Sequence, residues 1–195
     1  MLVMLLDVGS TFMKYMVYSC KTQTACFSDK VPFPQPVVDD GTKFEVSLEA
    51  IKKALMDVAC VALQYGCKRA FISVQMHGYV LRRADGTMSN YISWRDRRGN
   101  IDDHRLQGVD FLQCGTALKC NLPVASLCAF GAQFFQTEFF TLGSYISYLL
   151  TGRNITHKTD ACASGFYHAE HLGRISLFPE LTLPAVCDTV RAVGR

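Results

Sequence analysis

The opening of the chain restricts the fold more than any other stretch. Leu2 to Leu6 is an unbroken apolar run, Met13 to Tyr18 is another, and Asp7-Val8-Gly9-Ser10-Thr11 lies between them. Runs this short suit strands, and an Asp/Gly/Ser/Thr tip joins them as a hairpin. The Leu2–Leu6 run has no polar alternation, so it reads as a strand buried on both faces. Lys21 to Thr24 is a second polar turn. Ala25 to Val31 reads as a third strand, ended by Pro32, Pro34 and Pro36, so the start is antiparallel. Ser47 to Tyr65 is the clearest helix. Ser47 is the N-cap, Glu49 lies in the first turn, apolar residues recur at Leu48, Ile51, Leu55, Val58 and Ala62, and Gly66 follows as a stop. Ala70 to Val74 reads as a buried strand and Tyr79 to Arg83 as another, with Ala84-Asp85-Gly86 as its turn. Three strands, a helix and further strands in this order predict an α/β domain with mixed sheet direction.

Later segments are less regular. Arg95 to Leu106 is charged, which fits a surface helix or loop. Leu142 to Leu150 reads as a helix stopped by Thr151-Gly152. Thr156 to Phe166 is rich in small residues and takes no firm assignment, and Leu183-Pro184 reads as a loop. The chain has 195 residues, enough for one domain or two small ones, and 49% are hydrophobic, which excludes disorder as the main state. Twenty basic against 17 acidic residues leave +3, too mild for a dedicated nucleic-acid or anionic-membrane surface. Met1 to Leu6 has no basic leader and meets Asp7 at once, so it is not a signal peptide. The apolar stretch Asn121–Leu150 is broken by Pro123, Gln133, Gln136, Glu138 and Gly143, so core-facing helices are expected there, not a membrane span. The nine Cys include no Cys-x-x-Cys pair; they read as reduced thiols, mostly small buried hydrophobes, in a cytoplasmic protein.

The first turn has chemistry beyond its geometry. A strand delivers the Asp7 carboxylate to the sheet edge, where it can hold hydrated Mg²⁺. Gly9 lets an anion approach the backbone, the Ser10 and Thr11 hydroxyls and turn N–H groups can donate to phosphate oxygens, and Lys14 adds positive charge. Taken alone, the same residues also make an ordinary hairpin tip. No P-loop and no dinucleotide fingerprint occurs. His168-x-x-His171 has no completing Cys or acid and reads as surface.

Two further segments change the picture: Gln75-Met76-His77-Gly78 and Trp94-Arg95-Asp96-Arg97-Arg98. With the first turn, they resemble the FGGY family of carbohydrate kinases, in the actin/Hsp70/sugar-kinase superfamily. Asp7 to Lys14 matches the family's Asp-x-Gly-Thr/Ser-Thr/Ser-x-x-Lys/Arg phosphate motif. The Gln-Met-His-Gly run is similar to the xylulose-kinase branch, and Trp94-x-Asp96-x-Arg98 matches the family's Trp-x-Asp-x-Arg. Ser144 to Gly152 and Thr159-Asp160 through Gly165-Phe166-Tyr167 resemble later family segments.

The resemblance implies an actin-like (ribonuclease H-like) domain, a mixed sheet flanked by helices. Residues 1–195 would be the N-terminal sugar-binding domain of a two-domain kinase. ATP and Mg²⁺ would be used, and a sugar hydroxyl, a ketose such as xylulose first, would accept the γ-phosphate. Gly9, Ser10, Thr11 and Lys14 would face phosphate and Asp7 the metal. Gln75, Met76, His77, Trp94, Asp96 and Arg98 would line the sugar site, with polar groups for the hydroxyls and an apolar wall for the C–H face. The residues also admit plainer roles: His77 or Trp94 in the core, and Arg95 and Arg97 on a solvated face paired with Asp96, Asp102 and Asp103. Other readings are a non-catalytic sugar-binding module and another actin-like ATPase. Partners implied are the sugar and the C-terminal nucleotide-binding domain, whose catalytic Asp nothing here matches; nucleic acid and membrane are not expected, and a homodimer is left open. One departure is the segment Leu122 to Phe135, shorter than the family's substrate-lid region and without its Trp.

Overall fold

The computed structural model describes residues 1–130 and 137–188. Its elements run β1 (Leu2–Val8), β2 (Phe12–Ser19), β3 (Thr24–Pro32), β4 (Pro36–Asp39), β5 (Phe44–Val46), α1 (Leu48–Gln64), β6 (Arg69–Val74), β7 (Tyr79–Arg82), β8 (Tyr91–Ile92), α2 (Pro123–Cys128), β9 (Glu138–Thr141), α3 (Leu142–Thr151), β10 (Ile155–His157), α4 (Lys158–Ala163) and β11 (Ala185–Cys187). They sort into two units, residues 1–36 with 46–75, and residues 37–45 with 76–195.

The first unit is built on a four-stranded sheet in the order β3-β2-β1-β6. The expected hairpin is present, with β1 and β2 antiparallel and β3 antiparallel to β2, while β6 runs parallel to β1, so the sheet is mixed. Strand alternation puts Met4, Leu6 and Val8 on one face beside Met13, Tyr15 and Val17, all buried. Leu48, Ile51 and Val58 are the buried residues of α1. The helix starts where the sequence places it, with the Ser47 hydroxyl accepting from the Ala50 N–H at 3.4 Å, and Gly66 follows at φ +66°.

Two expectations fail here. The Leu2–Leu6 strand is not buried on both faces, because Leu5 is 36% exposed. Nor is β6 a buried strand: Arg69 to Ser73 are exposed, Phe71 at 43%. Leu5, Met16 and Phe71 share the face opposite the core, and among the described residues β6 has β1 as its single neighbour. An apolar run shows that a strand has no polar side; what lies beyond the sheet decides whether that side is covered.

The second unit has a five-stranded sheet, β4-β5-β8-β7-β9, and a parallel pair, β10-β11. No sequence pattern marks β4 and β5, whose four and three residues flank a polar turn. β7 is antiparallel to both β8 and β9, pairing Tyr79 with Ile92 and with Thr141. Tyr79 stacks on Phe139 at 5.5 Å and Phe139 meets Phe166 edge-on at 5.4 Å, in a core that includes Leu81, Leu122, Val124 and Phe178. All six residues of α2 are buried, with Pro123 in its first turn. α3 is capped by Thr141 and ends at Gly152, φ +71°, as the sequence predicts. Arg95 to Leu106 is a loop closed by a short 3-10 turn at His104–Leu106, where Arg105 pairs with Asp103. Residues 131–136 of the Leu122–Phe135 segment lie outside the described residues. The unassigned Thr156–Phe166 stretch holds the end of β10 and α4.

The cysteines also differ from expectation. All nine are free thiols, but Cys114, Cys128 and Cys162 alone are buried, while Cys20, Cys26 and Cys60 are exposed. Among the described residues no helix is long and apolar enough to cross a membrane.

Candidate functional site

In the first unit, the end of β1 carries Asp7 with its side chain exposed. Cross-strand register places Lys14 opposite it on β2 and Ser73 opposite it on β6, and the Ser73 hydroxyl donates to the Asp7 carboxylate at 2.8 Å. Ser10, Thr11 and Lys14 are exposed around the turn. The Gly9 N–H is committed to the Phe12 carbonyl at 3.1 Å, and a Cβ on Gly9 would sit 3.0 Å from that oxygen, so the tight turn itself calls for glycine. Gln75 belongs to this unit. Its N–H donates to the Val8 carbonyl at 3.0 Å, beside the turn, and its side-chain amide atoms are shielded from solvent without a hydrogen-bond partner. Among the described residues no group of three His, Cys, Asp or Glu side chains is placed to hold a metal. A single exposed carboxylate with hydroxyls around it fits a hydrated Mg²⁺, which keeps most of its waters and takes one or two protein oxygens.

In the second unit, antiparallel pairing brings the start of β7 and the ends of β8 and β9 to one edge of the sheet. Met76 and His77 lead into β7, and Trp94 follows β8. Met76 is 48% exposed and Trp94 39%, so neither is spent on the core. His77 has φ +65°, a left-handed backbone that costs a non-glycine residue of order 1 kcal/mol or more. Its Nδ1 lies 2.8 Å from the Ala163 carbonyl. A carbonyl only accepts, so Nδ1 carries a proton, and in the neutral ring Nε2 then keeps its lone pair. Gly78 explains its own place: a Cβ there would overlap the Tyr91 hydroxyl and lie 2.5 Å from Cε2 of that buried ring.

Asp96 and Arg98 have a different position. Asp96 is 1% exposed. One carboxylate oxygen accepts from the Phe44 N–H at 2.8 Å, and the two take Arg98 Nε and Nη2 at 2.8 and 2.6 Å. Arg98 also reaches Glu45 at 2.6 Å. This paired, charge-assisted network ties the loop after β8 to the first two residues of β5. Asn121 donates to the Trp94 carbonyl at 3.0 Å and steadies the same loop. Arg95 stacks over Phe44 at 4.1 Å. His168 and His171 stack at 4.6 Å. Three contributors were not legible in the sequence: Ser73, Glu45 and the Ala163 carbonyl. Each meets its partner across 53 to 86 residues of chain, and no local pattern marks such a pair.

A mixed sheet led by an antiparallel hairpin, with helices against it and a carboxylate at the first turn, is the architecture of an actin-like sugar-kinase domain. Neither a protein-family model nor a curated protein matches the sequence. Solved structures do. They include xylulose kinase from Lactobacillus acidophilus (19% identity, TM-score 0.83, 95% of this chain and 42% of that one) and gluconate kinase from the same organism (19%, 0.81, 96% and 42%). Plasmodium falciparum glycerol kinase with ADP also matches (14%, 0.73, 95% and 42%). The chain shares its fold with these kinases, and it spans less than half of their length.

Proposed function

We propose that residues 1–195 are the sugar-binding N-terminal domain of an ATP-dependent carbohydrate kinase, which transfers the γ-phosphate of MgATP to a hydroxyl of a ketose such as xylulose. The observation that carries this reading is His77. It is held left-handed, with Nδ1 fixed by the Ala163 carbonyl and Nε2 left to accept from a hydroxyl, and exposed Met76 and Trp94 stand at the same sheet edge. A sugar needs that pairing of an acceptor with an apolar wall. Asp96 and Arg98 act from behind, holding the loop that presents Trp94.

Asp7, Ser10, Thr11 and Lys14 form the phosphate-facing side, with Asp7 the residue that would hold Mg²⁺. When bound, Mg²⁺ neutralises charge on the transferring phosphoryl group. Ser73 orients the Asp7 carboxylate, and Lys14 offsets its negative charge across the strand pair. The acceptor's proton would go to a carboxylate in the nucleotide-binding domain of the two-domain enzyme, for which these residues offer no match. The face carrying exposed Leu5 and Phe71 and half-buried Met16, beside the β6 edge that has no further strand among the described residues, is where such a domain would pack.

Trp94 is the single tryptophan, so its emission reports on the site without labelling. Titration with D-xylulose gives a saturable change in Trp emission, and glycerol and gluconate give weaker responses. His77→Ala weakens xylulose binding by about tenfold, the loss of one hydrogen bond in a polar site. No spectral change and no binding heat with any ketose would overturn the sugar-site assignment; glycerol binding better than every ketose would overturn the substrate class.

A further inference from the structure

Asp160 is buried, at 7% exposure, in the first turn of the short helix α4. The Thr156 hydroxyl donates to its carboxylate at 3.2 Å. The Thr141 and Thr156 hydroxyl oxygens lie 3.1 Å apart. Through Thr156 the carboxylate thus links α4 to the middle of β10 and, one hydroxyl further, to Thr141 at the β9–α3 corner. Three residues further along α4, the Ala163 carbonyl takes the His77 Nδ1–H. The Asp160 charge reaches Tyr91, which caps the same corner of the core.

A buried carboxylate held by neutral donors is an expensive way to fasten a helix. Burial pushes the Asp160 carboxyl above its ordinary range, and the nearby Thr141 and Thr156 hydroxyls work against that push. An apolar side chain of similar volume would pack the same corner without that cost, so its use here points to the neighbouring imidazole.

We propose that Asp160 is a positioning residue of the sugar site: it pins α4 to the β9–α3 corner, so that the Ala163 carbonyl keeps His77 in the Nδ1–H tautomer and leaves Nε2 to accept from the substrate hydroxyl. The consequence for substrate rests on the sugar-binding reading of His77; the effect on the tautomer does not.

The test uses the whole chain with Asp160→Asn, which keeps shape, removes the charge and turns one acceptor oxygen into a donor, and Thr156→Val, which removes one anchoring bond. Ring ¹⁵N shifts of His77, recorded above its titration range, report the tautomer directly. Wild type shows a protonated Nδ1 and a bare Nε2. Asp160→Asn shifts the ring to a mixture of tautomers with the far-UV spectrum retained, and weakens xylulose binding by about tenfold; Thr156→Val moves both in the same direction by less. A folded Asp160→Asn protein with unchanged His77 shifts overturns the proposal. If Asp160→Asn does not fold, unchanged shifts in Thr156→Val overturn it. A tautomer change in Asp160→Asn, with wild-type protein that binds no sugar, upholds the positioning role and removes the substrate reading instead.

Discussion

Replacing Gly78 by alanine puts one methyl group where the Tyr91 ring already lies. The added Cβ would overlap the Tyr91 hydroxyl and approach Cε2 to 2.5 Å, and Tyr91 is 0% exposed, so the ring cannot swing into solvent. Gly78 is not in the left-handed region, so the cost is steric, without a backbone term. Overpacking a close-packed site costs about 1–3 kcal/mol, and a ring fixed on all sides belongs at the upper end. At about 3 kcal/mol a chain of this length loses about 6–12 °C in Tm. Circular-dichroism melts and urea titrations of Gly78→Ala measure this. Tyr91→Phe removes the nearest clashing atom, so the double variant recovers part of the loss, and the cycle of four proteins isolates the Gly78–Tyr91 term. Gly78→Ala also displaces the residue after His77, so xylulose binding weakens with stability. A Gly78→Ala protein within about 0.5 kcal/mol of wild type would refute the reasoning.

Asp96→Asn leaves Arg98 buried with Glu45 as its remaining carboxylate and removes charge from the acceptor of the Phe44 N–H; a loss of about 3 kcal/mol in urea unfolding is expected, and a loss under about 1 kcal/mol would show that the network is dispensable. Burial pushes the thiols of Cys114 and Cys128 up to about 11, so a thiol reagent at pH 8 labels exposed Cys20, Cys26 and Cys60 first and reaches Cys114 and Cys128 on unfolding. Labelling of Cys114 in folded protein at the rate of Cys20 would contradict that order.

Much of the local structure was written in local pattern. The β1–β2 hairpin follows from two apolar runs around a Gly-Ser-Thr tip, α1 from its 3.6-residue period between Ser47 and Gly66, and the end of α3 from Thr151-Gly152. Each of these needs only neighbours along the chain. Asp7 stood out at a predicted turn, whereas Met76, His77 and Trp94 stood out through the two segments that resemble the carbohydrate-kinase family. The tertiary structure decided what faces what. It turned Asp96 inward onto Phe44 and Arg98 and left Trp94, two residues earlier, 39% exposed. It left β6 as an exposed edge where an apolar run suggested burial, and it brought the Ala163 carbonyl to His77 across 86 residues. Burial and hydrogen-bond partnership are properties of pairs of segments, set by register and by which strand becomes an edge. One segment's composition shows that it can be buried or bonded; only its neighbour in space determines whether it is.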